Sequence, residues 1–283
     1  RPAGDVELRV MEISGGGEWV APLAERLYKD TEGNPFFLME MVKALFETGT
    51  IQLETGAWKL DSARIQRERF PLPESISEAI LSRVRRLDSA SQSALRTASI
   101  LGREFDFELL NQAWGRGNEA TLEALDTLLR SRLIEEGIGQ SGRDYAFVHH
   151  KIQEAVYADI PHKQCQHGHA RVAAAMEKHY AGRAENAGEI AYHFEKCCHL
   201  GEAYRASATK YLLQAGDRAR TFFAFQDAVD YYQRALAILK EANDFDGSAR
   251  AQMKLGLAYH SMFDFAKAHE AYEQSFAASR MVM

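Results

Sequence analysis

Apolar residues recur at helical spacing through most of the chain and alternate in only a few short places. Residues 6–13 (VELRVMEI) alternate as a strand does, and the SGGGE that follows reads as a flexible break. From Trp19 the pattern turns helical, with Leu23, Leu27 and Tyr28 along one face. The turn tripeptide Gly33-Asn34-Pro35 then leads straight into one of the most apolar helical stretches, FFLMEMVKALF. A rigid bend running into a buried helix must be presenting something.

After Gly49, TIQLE and AWKLD flank Thr55-Gly56 as a small hairpin, and residues 63–70 form a basic linker closed by Pro71 and Pro73. A second group of helices opens with Ser75 and Glu78 at capping-box spacing. Next come SASQSALRTASIL, a helix DFELLNQAW capped by Asp106, and NEATLEALDTLLRSR. The period then changes: RLIEE and DYAFVH read as two strands around a GIGQSGR turn. Helices followed by a two-stranded wing give the order of a winged helix ending near Pro161. The helix that would enter a DNA groove carries Glu119, Glu123 and Asp126 against Arg130 and Arg132, whereas phosphate contact needs a positive surface. Direct DNA binding is not expected.

The last third repeats itself. Aligning Gly216 with Gly256 also aligns Ala228 with Ala268, Tyr232 with Tyr272 and Ala235 with Ser275, a spacing of 40 residues. Small residues where helices cross, with aromatics beside them, are what stacked helix pairs require. The positions of Gly256, Tyr259, Ala268 and Tyr272 follow the tetratricopeptide pattern, whose usual period is about 34 residues. The segment KEANDFD between the pairs is the expected place for the excess. A weaker copy includes Ala191, Phe194 and Ala203.

In order, TEGNPFFLMEMVKALFETG, PLPESISEAILSRVRRLDSASQSALRTASILGREFDFELL, YAFVHHKIQEAVY and the helical repeats resemble the C-terminal half of STAND-type signalling ATPases. That group includes large LuxR-type regulators and the ATPase regions attached to cyclases and kinases. The resemblance implies a mainly α architecture with four parts: a remnant strand of the nucleotide-binding domain (1–15), a helical lid segment (16–73), a winged helix (74–160) and a tetratricopeptide-like α-solenoid (161–283). It also implies that Pro35 faces the adenine ring of ATP or ADP, with Gly33 and Asn34 forming the turn that places it. In the segment matched by Phe147, His149, Ile152, Glu154, Ala155 and Tyr157, it makes His149 a sensor of the phosphate end of the nucleotide. An imidazole N–H can donate to a phosphate oxygen, although Val148 and Gln153 depart from the usual pattern. A purely structural His149 is the alternative.

No G-x-x-x-x-G-K-[ST] occurs, so the loop that cradles phosphates is absent, and the ATPase core is expected to lie outside this chain. The chain alone is therefore expected neither to hydrolyse ATP nor to hold nucleotide tightly. His162, Cys165, His167 and His169 invite a zinc reading, but no second cysteine pair stands at finger spacing, and no metal is expected. A nucleophilic Cys165 paired with His167 would need a third orienting group, and the sequence suggests none.

Composition changes this picture little. Three cysteines, Cys165, Cys197 and Cys198, make no disulfide framework, and a net charge of −6 argues against nonspecific attraction to nucleic acid or anionic membrane. Without a signal-peptide layout or an apolar run of the ~18 residues that span a bilayer, a cytoplasmic location without membrane partners is expected. The functional expectation is the regulatory, signal-sensing portion of a STAND-type ATPase. Its repeats would receive a protein partner or a small-molecule inducer. The alternative is a nucleotide-independent interaction scaffold.

Overall fold

The computed structural model describes residues 20–31, 33–47, 51–54, 57–60, 74–137, 143–181 and 183–281. The strand expected over 6–13 and the basic linker lie outside them. Among the described residues the protein is mainly α, and its contacts divide it into two units. One holds the described residues up to Phe107 together with Asn118–Ile160; the other holds Glu108–Gly117 and everything from Pro161 onward.

In the first unit, α1 (Val20–Thr31) and α2 (Pro35–Glu47) pack on each other across the Gly-Asn-Pro bend. Leu23, Leu27, Phe37, Leu38, Met41 and Leu45 form the buried side of the pair. Strands β1 (Ile51–Glu54) and β2 (Ala57–Leu60) make the antiparallel hairpin, Ile51 opposite Leu60 and Glu54 opposite Ala57. Helix α3 spans Glu74–Val84. Helix α4 (Ser89–Leu101) has a cap: the Asp88 carboxylate accepts the Ser91 N–H at 2.9 Å and the Ser91 hydroxyl at 2.6 Å. Those two bonds favour the ionised form and lower the Asp88 pKa.

A short strand, β3 (Glu104–Phe105), then precedes α5 (Phe107–Trp114), α6 (Asn118–Arg130), β4 (Ile134–Glu136), β5 (Tyr145–Phe147) and α7 (His150–Ala158). The sheet order is β3-β5-β4, all antiparallel, so the expected two-stranded wing gains a third strand. Helix, strand, two helices and a hairpin is the element order of a winged helix. Asp106 does not cap α5 as expected. Its carboxylate pairs with Arg143, and the first amide of the helix, on Phe107, is accepted by Asp144 at 2.8 Å. Ile134 and Phe147, paired across β4 and β5, are both buried. Helices α4 and α6 pack together and α7 packs on α3 and α4, joining Leu95, Leu125, Leu128, Ile152 and Val156 into the core of this unit. The exposed face of α6 carries Glu119, Glu123 and Asp126, and its Arg130 is paired with Asp126 at 2.9 Å.

The second unit runs through α8 (His162–His179), α9 (Ala187–Cys197), α10 (Glu202–Thr221), α11 (Phe225–Glu241), α12 (Phe245–Ser261) and α13 (Phe265–Arg280), with single 3₁₀ turns before and after α9. Each helix packs chiefly on the next, with a lesser contact between α10 and α12. That is the nearest-neighbour arrangement of a helical solenoid. Helix α5 joins this unit through Arg171, whose Nε donates to the Ala113 carbonyl at 3.2 Å.

Candidate functional site

The Gly-Asn-Pro bend is built so that one carbonyl gathers two donors. Gly33 adopts φ +72°, a left-handed conformation that glycine enters without steric cost, and this turns the chain between α1 and α2. The Asn34 N–H closes the turn onto the Thr31 carbonyl at 2.9 Å, and the Asn34 side chain lies 3.4 Å from the Phe37 N–H at the start of α2. Pro35 occupies the first helical position, where its missing N–H is harmless, and is exposed.

The second donor to the Thr31 carbonyl is His149 Nε2, at 2.7 Å across 118 positions of sequence. His149 is the N-cap of α7: its Nδ1 accepts the Lys151 N–H at 3.1 Å, and its carbonyl accepts that of Ile152 at 2.9 Å. With a backbone N–H pointing at Nδ1 and a carbonyl at Nε2, the neutral ring with its hydrogen on Nε2 satisfies both contacts. The ring is only 6% exposed and meets Phe37 edge-on at 4.6 Å between centroids. The structure thus brings Gly33, Asn34 and His149 to one junction and leaves Pro35 on its surface. Both nitrogens of His149 are occupied within the chain. His150 stacks on His149 at 4.8 Å.

In the repeats, the feature that recurs is a close approach of ring to backbone. A Cβ at Gly216 would stand 2.4 Å from Cε1 of Tyr232, and one at Gly256 would stand 2.4 Å from Cε1 of Tyr272. The 40-residue spacing therefore reproduces one packing detail, a tyrosine ring lying on a bare helix backbone. The turns repeat as well. Phe223, Asn243 and Phe263 all have positive φ, at 63°, 56° and 60°, each ending one helix three residues or fewer before the next begins. The connector between the pairs is thus as short as those within them. The six residues beyond the usual tetratricopeptide period lie in longer helices, not in the KEANDFD segment where they were expected.

Residues 207–281 match the tetratricopeptide repeat family. Helices α10 to α13 are tetratricopeptide-like repeats. Such repeats present extended surfaces to other proteins, so this part of the chain is an interaction scaffold. The chain is also similar to hybrid signal transduction histidine kinase G of Dictyostelium discoideum, 25% identical over 114 residues. That alignment covers 40% of this chain and 3% of the kinase, so the chain spans only a small part of that relative.

Polar side chains lock the tetratricopeptide-like helices together. Asp217 on α10 accepts from Lys254 of α12 with both oxygens at 2.7 Å and from the buried Tyr232 hydroxyl at 2.8 Å. Burial, then the Asp217 carboxylate, raises the Tyr232 pKa. Arg234 on α11 grips both oxygens of Glu195 on α9. These links join helices far apart in sequence, and no spacing rule announced them.

The residues weighed for zinc fall apart. His162 and His167 are exposed, while His169 is buried. Its Nδ1 meets Nδ1 of the equally buried His193 at 2.9 Å, linking α8 to α9. Desolvation, reinforced by Lys196, lowers the His169 pKa to about 4. Desolvation, reinforced by His169, lowers that of His193 to about 3. The pair is neutral, one ring donating and the other accepting. Among the described residues no group of three or more His, Cys, Asp or Glu is placed to hold a metal ion. Burial pushes the Cys197 thiol up to about 11 and raises that of Cys198, opposite to what a nucleophile needs. No helix among the described residues is long and apolar enough to cross a membrane.

Proposed function

We propose that the chain is the regulatory and signal-sensing portion of a STAND-type ATP-dependent signalling or transcription-regulatory protein. Its tetratricopeptide-like repeats take up a protein partner or inducer, and its first unit reads nucleotide held mainly by an ATPase core. One observation carries this reading: the Gly-Asn-Pro bend and His149, separate motifs in the sequence, meet at a buried 2.7 Å hydrogen bond. His149 is then a positioning residue. It fixes the Thr31 carbonyl and, through the bend, the placement of Pro35 at the adenine, while a core supplies the phosphate loop. The similarity to part of a signal transduction kinase agrees with this role. By the same reading the isolated chain does not turn over ATP.

The first test is the coding sequence upstream of Arg1, which should encode G-x-x-x-x-G-K-[ST]; its absence would leave the nucleotide-independent scaffold. The second is the rate at which fluorescent ADP leaves the protein that includes that core. His149→Ala should speed release about tenfold or more, as loss of a buried hydrogen bond worth roughly 1–3 kcal/mol implies. His150→Ala should change it much less. Equal rates for wild type and His149→Ala would reduce His149 to a packing residue.

A further inference from the structure

An open cavity of about 650 Å³ lies in the second unit, between the end of α8, the turn before α9, and α10. Its volume falls in the range that holds small organic ligands. The lining is cationic and aromatic: Arg183, Lys210 and Arg218 stand among Tyr180, Tyr211 and Phe222. Lys210 Nζ lies 4.6 Å from the Tyr211 ring centre and the Arg218 guanidinium 5.0 Å from that of Phe222, so two of the cations already flank flat faces.

The carboxylates nearby neutralise this lining only in part, through the Lys210–Glu177 pair. Asp217 also faces the cavity, but Lys254 and Tyr232 take its oxygens. Glu177 accepts from the Tyr211 hydroxyl at 2.8 Å and reaches Lys210 only at 3.4 Å. Arg218 and Arg183 form no ion pair with a described residue. In a chain of net charge −6 this is a local positive surplus beside the exposed ring of Phe222 and the half-buried ring of Tyr211.

We propose that this cavity binds an organic anion, a small molecule bearing a carboxylate or phosphate on a flat apolar ring. The planar guanidinium forks of Arg183 and Arg218 match pairs of oxygens on either head group, and the ring lies against Tyr211 and Phe222. The inference rests on the proposed signalling role only in making this ligand the inducer. Binding itself needs neither nucleotide nor a core.

The test is titration calorimetry on the chain with 1-naphthyl phosphate, 1-naphthoate, neutral 1-naphthol and inorganic phosphate. At least one naphthyl anion should bind ten times more tightly than 1-naphthol and than inorganic phosphate, and the tighter of the two names the head group. Arg183→Ala/Arg218→Ala should weaken that binding tenfold or more. Arg250→Ala, which removes an exposed arginine paired with Asp246 on α12, should leave it unchanged. Both replaced arginines are exposed, and an unaltered circular dichroism spectrum checks that folding is retained. Equal binding of 1-naphthol, no binding of either naphthyl anion at millimolar concentration, or an equal loss in Arg250→Ala overturns the site. None of these outcomes bears on ADP release, so the nucleotide reading stands or falls separately.

Discussion

In the first unit, His149 reaches across 118 positions to the Thr31 carbonyl, whereas each helix of the repeats packs chiefly on the helix next in sequence. The first arrangement includes a buried polar contact whose partners have no local reason to meet. The second is assembled from many apolar contacts, each formed between neighbours and copied at a fixed spacing. Loss of a single contact should therefore act differently in the two regions. In the repeats it injures a seam, and in the first unit it releases a bend.

The largest expected effect is in the repeats. Ala268 is 2% exposed where α13 packs on α12. Ala268→Arg forces a guanidinium into that seam and should cost roughly 3–5 kcal/mol, read as a large fall in the thermal midpoint. The milder Gly256→Ala should also destabilise, since its Cβ would overlap the Tyr272 ring, and adding Tyr272→Ala should recover part of that loss. Independent, additive losses would show that the two residues do not share the seam.

His149→Ala comes next, at about 2–3 kcal/mol. It removes an N-cap from the Lys151 amide and one donor from the buried Thr31 carbonyl. Hydrogen exchange should locate the change: amides of α2 and the first turn of α7 should lose protection while α10 to α13 keep theirs. Equal loss throughout the chain would erase the distinction between the regions.

These two regions were also unequally legible in the sequence. Gly216, Tyr232, Gly256 and Tyr272 could be aligned from sequence alone because their packing is local and repeated. The bend at Gly33 and the importance of His149 could be read too, but not that they meet, since a hydrogen bond between positions 31 and 149 leaves no periodic trace. Local rules failed where tertiary contacts replaced them. Asp106 looks like a cap, yet Arg143 draws its carboxylate away while Asp144 serves α5. Strand β3 is two residues long, too short to alternate visibly. The His169–His193 pair was hidden because half of it lay in a cluster that reads as metal ligands and the other half in an amphipathic helix.

That pair gives the third prediction, a dependence on pH confined to the repeat-bearing unit. Both folded-state pKa values lie below the ordinary value of 6.5, at about 4 and about 3. As pH falls below about 6.5 the unfolded chain binds protons that the folded pair refuses, so stability falls with pH until the folded pKa values are reached. Two such groups imply a loss of about 2 kcal/mol between pH 7 and 5.5. His193→Gln should flatten the slope in denaturant titrations at the two pH values. An unchanged slope would place the acid sensitivity elsewhere.

The smallest effect concerns a turn the two regions share. Phe263 ends α12 at φ +60°, with its own N–H on the His260 carbonyl and the next, of Asp264, on that of Tyr259. Arg132 in the first unit ends α6 at φ +50°, and the N–H of Leu133 returns to the Leu128 carbonyl in the same way. A left-handed conformation costs a non-glycine residue roughly 1–2 kcal/mol, and glycine recovers most of this while adding roughly 0.5–1 kcal/mol of unfolded-state freedom. Phe263 is 80% exposed, so its ring contributes little burial beyond an edge contact with Phe265 at 6.2 Å. Phe263→Gly should therefore raise stability by about 0.5 kcal/mol, whereas Phe263→Ala, which removes the ring and keeps the strain, should not. Arg132→Gly should gain about as much, because the backbone carbonyls of residues 131 and 132 that accept from Arg83 remain. If Phe263→Gly lost more than about 1 kcal/mol while Arg132→Gly gained, the exposed ring would be holding the repeat turn in place, and the repeats would owe part of their cohesion to their surface rather than to the seams between helices.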